Sequence, residues 1–254
     1  MGTISAVGGG GANFGGAGTI LLKTNYTTGV LIVDNGGNVG TNTPIANEGP
    51  TGYSLQVRNG AVLALVNSVN FSNVLVTSNA WIIPGSSSGQ VQLAVGVDAT
   101  IDAGGGIIAD SFGSPQNTGT GSGHIYGVSP YYPGSGAGHG GYGAYALSNR
   151  VPGGAAYDNA ASPIFTGSGG GGLVPYSPGG SGGGLIHLNL AGGVLQLNGT
   201  ISANGGNGSG IGGGGGSGGS IDIVAVGITG TGSITANGGN GAAAGGGGAG
   251  GLIS

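Results

Sequence analysis

The phrase Gly199-Thr200-Ile201-Ser202-Ala203-Asn204-Gly205-Gly206-Asn207-Gly208 returns almost unchanged as Gly232-Ser233-Ile234-Thr235-Ala236-Asn237-Gly238-Gly239-Asn240-Gly241. Each copy leads into a nearly pure glycine run and then a short apolar strand. A degraded copy, Gly2-Thr3-Ile4-Ser5-Ala6-Val7-Gly8-Gly9-Gly10, opens the chain. Repetition of this kind constrains the fold strongly, because a unit too small to bury its own apolar face must stack on its neighbours.

The strands of the repeat region alternate strictly: Ile221-Asp222-Ile223, Ile186-His187-Leu188 and Leu195-Gln196-Leu197. Period-two patterning sends Ile and Leu inward and leaves Asp222, His187 and Gln196 outward. Short intervals alternate with long glycine excursions, and repeated short strands joined by corner loops are the signature of a β-solenoid. The fold expected is all-β with almost no helix: a parallel β-solenoid with glycine-rich stacked arms and a long loop insertion. An elongated β-sandwich with glycine-rich arms is the rival.

Three stretches make up one continuous elongated domain. In 1–109, short Val/Ile/Leu-rich strands are expected at 19–22, 30–33, 53–57, 62–66, 74–76, 81–83, 91–95 and 100–103, separated by Asn, Gly, Pro and Ser. In 110–178 the strand signal fades, and seven of the nine tyrosines gather in what reads as long loops. In 179–254 the repeat predicts strands at 185–190, 194–197, 200–203, 220–226, 233–236 and 252–253.

Seventy of 254 residues are glycine, and runs such as 212–216 and 245–248 have no side chain to bury. Fixing a backbone costs about 1–2 kcal/mol per residue, so order must come from the main chain. Without Cβ atoms, such segments can pack at short range through N–H···O=C bonds and Cα–H···O contacts. The excursions are therefore expected to stack as extended or polyglycine-like arms. Asn204 and Asn237 share one repeat position and Asn207 and Asn240 another, so ladders between equivalent Asn residues are expected.

Composition narrows the function classes. Three basic residues cannot supply the phosphate-neutralising surface of a nucleic-acid binder, nor a polybasic membrane contact. No apolar stretch approaches the roughly 20 residues that span a bilayer, so no membrane insertion is expected. No cysteine is present for disulfide or thiolate chemistry. Met1 runs straight into the repeat without a signal peptide, and the natural chain is expected to extend on both sides. Sequons at Asn25, Asn70, Asn198 and Asn207 are what a chain rich in Asn, Ser and Thr produces by chance.

Candidate chemistry is sparse. A carboxylate pair for glycoside hydrolysis would come from Asp98, Asp102 and Asp110, with Arg58 or Arg150; Asp102 sits on the outward phase beside Ile101. A metal site would draw on His124, His139, Asp110 or Asp158, but no His pair has ligand spacing. The glycine runs lack the Lys-Ser/Thr of a phosphate loop. Neither catalytic residues, nor a metal, nor a cofactor is expected. Tyr126, Tyr131, Tyr132, Tyr142 and Tyr145 offer rigid contact area with a hydrogen-bonding tip, suited to a glycan or partner. Their structural alternative is to cap apolar strands that glycine leaves uncovered.

The order Asp102-Ala103-Gly104-Gly105-Gly106, Gly136-Ala137-Gly138-His139-Gly140-Gly141, Gly167-Ser168-Gly169-Gly170-Gly171-Gly172 and then the repeated phrase resembles glycine-rich repeat regions of large bacterial surface proteins. The resemblance covers roughly residues 91–254 and implies a secreted, adhesive or fibrous protein. A weaker likeness is to polyglycine-rich tip adhesins of bacteriophage tail fibres, which use glycine arms as scaffold and variable loops for receptors. Their attachment module and tryptophan-rich start are not seen here. Triplet glycine-rich mycobacterial proteins share Gly-Gly-Asn-Gly phrases but not this pattern. These likenesses imply an extracellular structural or adhesive protein that extends a filament, sheath or fibre and is not an enzyme. A receptor- or glycan-binding tip adhesin is the alternative, and a polysaccharide-acting β-helix enzyme the third. The partners expected are copies of itself, glycans or a cell surface.

Overall fold

The computed structural model describes residues 2–23, 28–46, 52–85, 88–127, 132–147, 151–190 and 192–254, so Asn25, Tyr131 and Arg150 lie outside the described residues. Among those described there are eighteen strands and no helix. The first are β1 (Thr19–Lys23), β2 (Gly29–Asp34), β3 (Thr43–Ile45), β4 (Tyr53–Arg58), β5 (Val62–Leu65) and β6 (Val69–Phe71). Next come β7 (Val74–Val76), β8 (Trp81–Pro84), β9 (Gln90–Val95), β10 (Ala99–Ile101), β11 (Gly106–Ile108) and β12 (Leu185–Asn189). The last are β13 (Val194–Leu197), β14 (Thr200–Ser202), β15 (Ser220–Val224), β16 (Gly227–Thr229), β17 (Ser233–Thr235) and β18 (Leu252–Ile253).

These strands form three sheets, ordered β1-β2-β4-β7-β10-β13-β16, β17-β14-β11-β8-β5-β3 and β18-β15-β12-β9-β6. Every pairing is parallel except β1 with β2. From β4 onward the chain visits the seven-, six- and five-strand sheets in strict rotation, so each sheet receives every third strand. The repeat is the reason. Ile201 pairs in register with Ile234, and Leu195 with Ile228, so the returning phrase lays like residue on like.

Stacked rows of apolar side chains make the core. Leu55, Val74, Ala99 and Leu195 align in one sheet, Leu63, Ile82, Ile107 and Ile201 in the second, and Val91, Ile186 and Ile221 in the third. All are buried in one cluster, each Leu, Ile or Val contributing about 1.5–3 kcal/mol where burial is complete. The outward phase holds as read, with His187 and Asp222 half-exposed beside buried Ile186 and Ile221. The corners stack too. Asn59, Asn79 and Gly104 all take positive φ between the seven- and six-strand sheets, and Gly60 donates to the Asn79 carbonyl while Asn79 donates to that of Gly104.

Four strands were not expected: β3, β6, β11 and β16. Thr43-Pro44-Ile45 carries a proline, tolerable because β3 is an edge strand. The strand expected at 220–226 is β15 and ends at Val224; the unexpected β16 begins at Gly227 and belongs to a different sheet.

All long excursions leave at one corner, between the six- and five-strand sheets. They occupy 109–184, 203–219 and 236–251, and each closes at its base with one bond, Gly184, Gly219 and Gly251 N–H donating to the carbonyls of Ala109, Ala203 and Ala236. Segment 212–219 shows how they pack. Gly214 and Ser217 donate to Gly171 and Ser168, Gly215 and Gly218 to Gly246 and Ala249, and Gly216 and Gly219 to Gly206 and Ala203. Its carbonyls accept from Gly134 and Ala137, from Gly180 and Gly183, and from Gly239 and Ala242. Six segments thus surround one, each met every third residue, the period of a polyproline II strand. The 110–178 stretch, expected as loops, has no strand among its described residues, yet its glycine-rich parts supply two of those six neighbours.

Glycine is required here for closeness. The φ angles of 212–219 are not positive, but a Cβ on Gly213, Gly214, Gly215, Gly216, Gly218 or Gly219 would fall within 3.0 Å of a neighbouring main chain. At Gly247 the nearest atom would be 3.9 Å away. Gly216→Ala is therefore expected to destabilise the fold by about 1–3 kcal/mol, the usual cost of overpacking, while Gly247→Ala stays near neutral in denaturant titrations. Equal effects at the two sites would contradict this packing.

Candidate functional site

The arms reverse direction at the end away from the sheets, and their turns meet there. Ile125 bridges Gly134, Ala146 bridges Val151, and Leu173 bridges Ser177. Ile211 N–H donates to the Tyr176 carbonyl at 3.2 Å, Ala244 to that of Ile211 at 3.2 Å, and Leu147 to that of Ala244 at 3.3 Å. At about 3.1 Å per residue, the stretch from Gly213 to Gly219 sets this tip some 20 Å from the strands.

The tip is apolar and aromatic. Tyr132 and Tyr176 pack with ring centroids 5.8 Å apart, and Val174 and Tyr176 are 60% and 55% exposed. Tyr145, Leu147, Leu173 and Ile211 are exposed at the same end. Apolar exposure at this end is clustered rather than scattered singly, which makes the tip the candidate site.

Of the expected tyrosines, Tyr126, Tyr132 and Tyr145 lie on these turns, and Tyr126 N–H donates to the Pro133 carbonyl. Tyr142 stands apart, at the base-side turn where Gly140 donates to Gly250, and is 80% exposed. With Tyr142 and Tyr145 exposed, these two rings do not cap strands. Tyr176 and Ile211 were missed, because only folding brings 173–178 and 208–212 to the same end as Tyr126 and Tyr132; the prolines flanking Tyr176-Ser177 were the available sign of a turn.

The asparagines stack in register. Asn237 N–H donates to Asn204 Oδ1 and Asn240 N–H to Asn207 Oδ1, both at 2.8 Å. The ladder joins main chain to side chain, where amide-to-amide bonding was expected. Asp110 occupies the preceding rung, its Oδ1 accepting from Asn204 N–H at 2.6 Å.

Other carboxylates are likewise engaged separately. Asp98 Oδ1 accepts from Val194 N–H at 2.8 Å, and Arg58 pairs with Asp34 at 2.7 Å. Asp102 is half-buried directly after β10, at another corner of the fold from Asp110. His124 is exposed, its Nδ1 3.3 Å from the Pro152 carbonyl oxygen. Among the described residues no group of three His, Cys, Asp or Glu is placed to hold a metal.

One buried polar cluster fastens the 109–184 arm to the 203–219 arm. His139 is fully buried, stacked on Tyr157 at 4.5 Å, with Nδ1 2.7 Å from the Gly218 carbonyl oxygen and Nε2 3.3 Å from Asp158. Tyr157 donates to the Thr166 carbonyl and accepts from Ser168. A serine, a histidine and an aspartate meet here, but Ser220 Oγ donates to the Phe165 carbonyl at 2.7 Å and lies 3.4 Å from Asp158. That is no nucleophile–base order. Burial pushes the Tyr157 hydroxyl pKa up, with the Asp158 charge adding to it against the Ser168 bond. Burial alone would raise Asp158 as well, but N–H groups of Asn159, Phe165 and Ile164 together with His139 hold it below its ordinary value.

No helix of the described residues is long and apolar enough to cross a membrane. Comparison with protein-family models, with curated proteins and with solved structures finds no match to this chain.

A carboxyl whose pKa is depressed by folding stabilises above its unfolded value of 3.8 and loses that contribution as pH falls through the lower folded value. Asp158→Asn is expected to lower stability at pH 7 and to flatten the loss of stability below about pH 4. Urea midpoints measured against pH check this; an unchanged acid limb would show that Asp158 carries no such linkage.

Proposed function

We propose that this chain is an extracellular structural and adhesive protein: a parallel β-solenoid carrying a polyglycine bundle, which serves as a rigid mount for a binding tip. The rotation of strands through three sheets supports the solenoid reading. The observation that carries the adhesive reading is the six-fold packing around 212–219, which holds an exposed aromatic cluster at a distance from the sheets. A glycine wall has no side chains with which to recognise anything, so recognition falls to the turns. Tyr126, Tyr132, Tyr145 and Tyr176 among Ser, Asn and Gly suit a glycan or a cell-surface partner, stacking rings on apolar faces and bonding through hydroxyls.

End-to-end extension into a fibre is a second reading, favoured by the last layer. β16, β17 and β18 are the edges of their three sheets, all on one side of the stack, and unpaired strand edges template further pairing.

Binding to whole cells and to immobilised glycans tests the tip. Replacing both Tyr132 and Tyr176 by Ala is expected to weaken binding about tenfold or more, in line with aromatic contacts of about 0.5–1.5 kcal/mol each, while Tyr142→Ala leaves it unchanged. Equal retention by both variants would remove the tip from recognition.

A further inference from the structure

The N-terminal residues repeat the arm design bond for bond. Gly18 N–H donates to the Ala6 carbonyl and Gly15 to that of Gly9. These are the same two rungs as Gly219 to Ala203 with Gly216 to Gly206, and Gly251 to Ala236 with Gly248 to Gly239. Ala6, like Ala203 and Ala236, ends a Gly-x-Ile-x-Ala phrase, and Gly18, like Gly219 and Gly251, opens an apolar strand. Residues 3–23 therefore have the sequence of a six-sheet strand, an arm and a five-sheet strand.

They do not occupy such a place. β1 lies in the seven-strand sheet, antiparallel to β2, in the one antiparallel strand pairing of an otherwise parallel array. Ile4, in phase with fully buried Ile201, is 65% exposed, and Leu22, in phase with fully buried Leu188, is also exposed.

The layer of β16, β17 and β18 offers the complementary face. Ile228 and Ile253 stack in register on buried Leu195 and Ile221, yet are 51% and 48% exposed. One repeat earlier, Gly205, Gly208, Gly215 and Gly218 donate to Asn237, Asn240, Gly246 and Ala249. Their counterparts Gly238, Gly241, Gly247 and Gly250 have no acceptor among the described residues. No charged side chain occurs in 2–22 or in 223–254 to oppose contact.

We propose that the half-circuit 3–23 of one copy exchanges onto the last layer of a second copy. Residues 3–6 pair with β17, residues 19–21 with 252–254, and β2, relieved of β1, with β16; the 6–18 hairpin lies over the 236–251 arm. The occupant of the open layer is a second copy, and the product is a head-to-tail fibre continuous in register. This rests on the end-to-end reading above and gives it a donor and an acceptor.

Two blocked variants test the exchange: Ile4→Asp with Ile20→Asp, and Ile228→Asp with Ile234→Asp. In analytical ultracentrifugation the unmodified chain is expected to form species that lengthen with concentration. Each variant alone stays monomeric with an unchanged circular dichroism spectrum, and an equimolar mixture stops at the heterodimer. Self-assembly of the N-terminally blocked variant would overturn the exchange while leaving end-to-end contact intact. A monomeric unmodified chain at every concentration would overturn both. Should the aspartates prevent folding, Ser5→Cys combined with Thr235→Cys decides the matter. The chain has no cysteine of its own, and neighbouring strands about 4.8 Å apart fall within disulfide reach. A ladder of disulfide-linked chains supports the exchange, and assembly without one refutes it.

Discussion

Main-chain hydrogen bonding between segments that touch without side chains is the interaction on which the rest depends. In 212–219 the residues from Gly214 onward point their N–H groups at three different neighbours in turn, and the carbonyls are met from three more. Such an arrangement needs a three-residue twist and an interaxial distance that one added methyl would exceed. It fixes composition over long stretches, which is why alanine and serine, the smallest alternatives, are the residues admitted at Ala137, Ser168, Ser217 and Ala249.

The bundle is not self-supporting. Each ordered residue costs about 1–2 kcal/mol of backbone entropy, and glycine more, whereas a net hydrogen bond returns about 0.5–1.5 kcal/mol. One donated bond per residue roughly offsets the entropy and leaves little over. What holds the arms is their attachment. The 109–184 and 203–219 arms spring from and return to strands anchored by buried Ile107, Ile186, Ile201 and Ile221, and a bond from glycine to alanine closes the base of every arm. The sheets supply the free energy and the register, and the arms inherit both. The Asp110–Asn204–Asn237 ladder spans this junction, tying the height of each arm to the layer below.

Much of this was legible in the residues. The alternation of Ile221-Asp222-Ile223 gave the inward face, and the shared positions of Asn204 and Asn237 gave the stacking. Glycine excursions without apolar residues implied main-chain order. Strands of three residues were harder: Val69-Asn70-Phe71 and Gly106-Ile107-Ile108 are too short for periodicity to register, and they exist because pre-formed neighbours pair with them. The break between β15 and β16 is likewise invisible locally, since 220–226 is apolar throughout except for Ser220 and Asp222. The tip was half legible. Tyr132 stood out by composition, but its partner Tyr176 is set beside it only by the reversal of two arms.

The same physics divides the molecule into parts that can and cannot vary. Interior glycines meet main chain on every side, so substitution there displaces a whole segment. Turn residues such as Val174, Tyr176 and Ile211 meet solvent, and the segments beneath them are fixed by bonds that ignore side-chain identity. A scaffold held by main-chain contacts leaves its turns free to carry any side chain without loss of the core. Under the adhesive role proposed above, chemical specificity and mechanical support rest on separate residues.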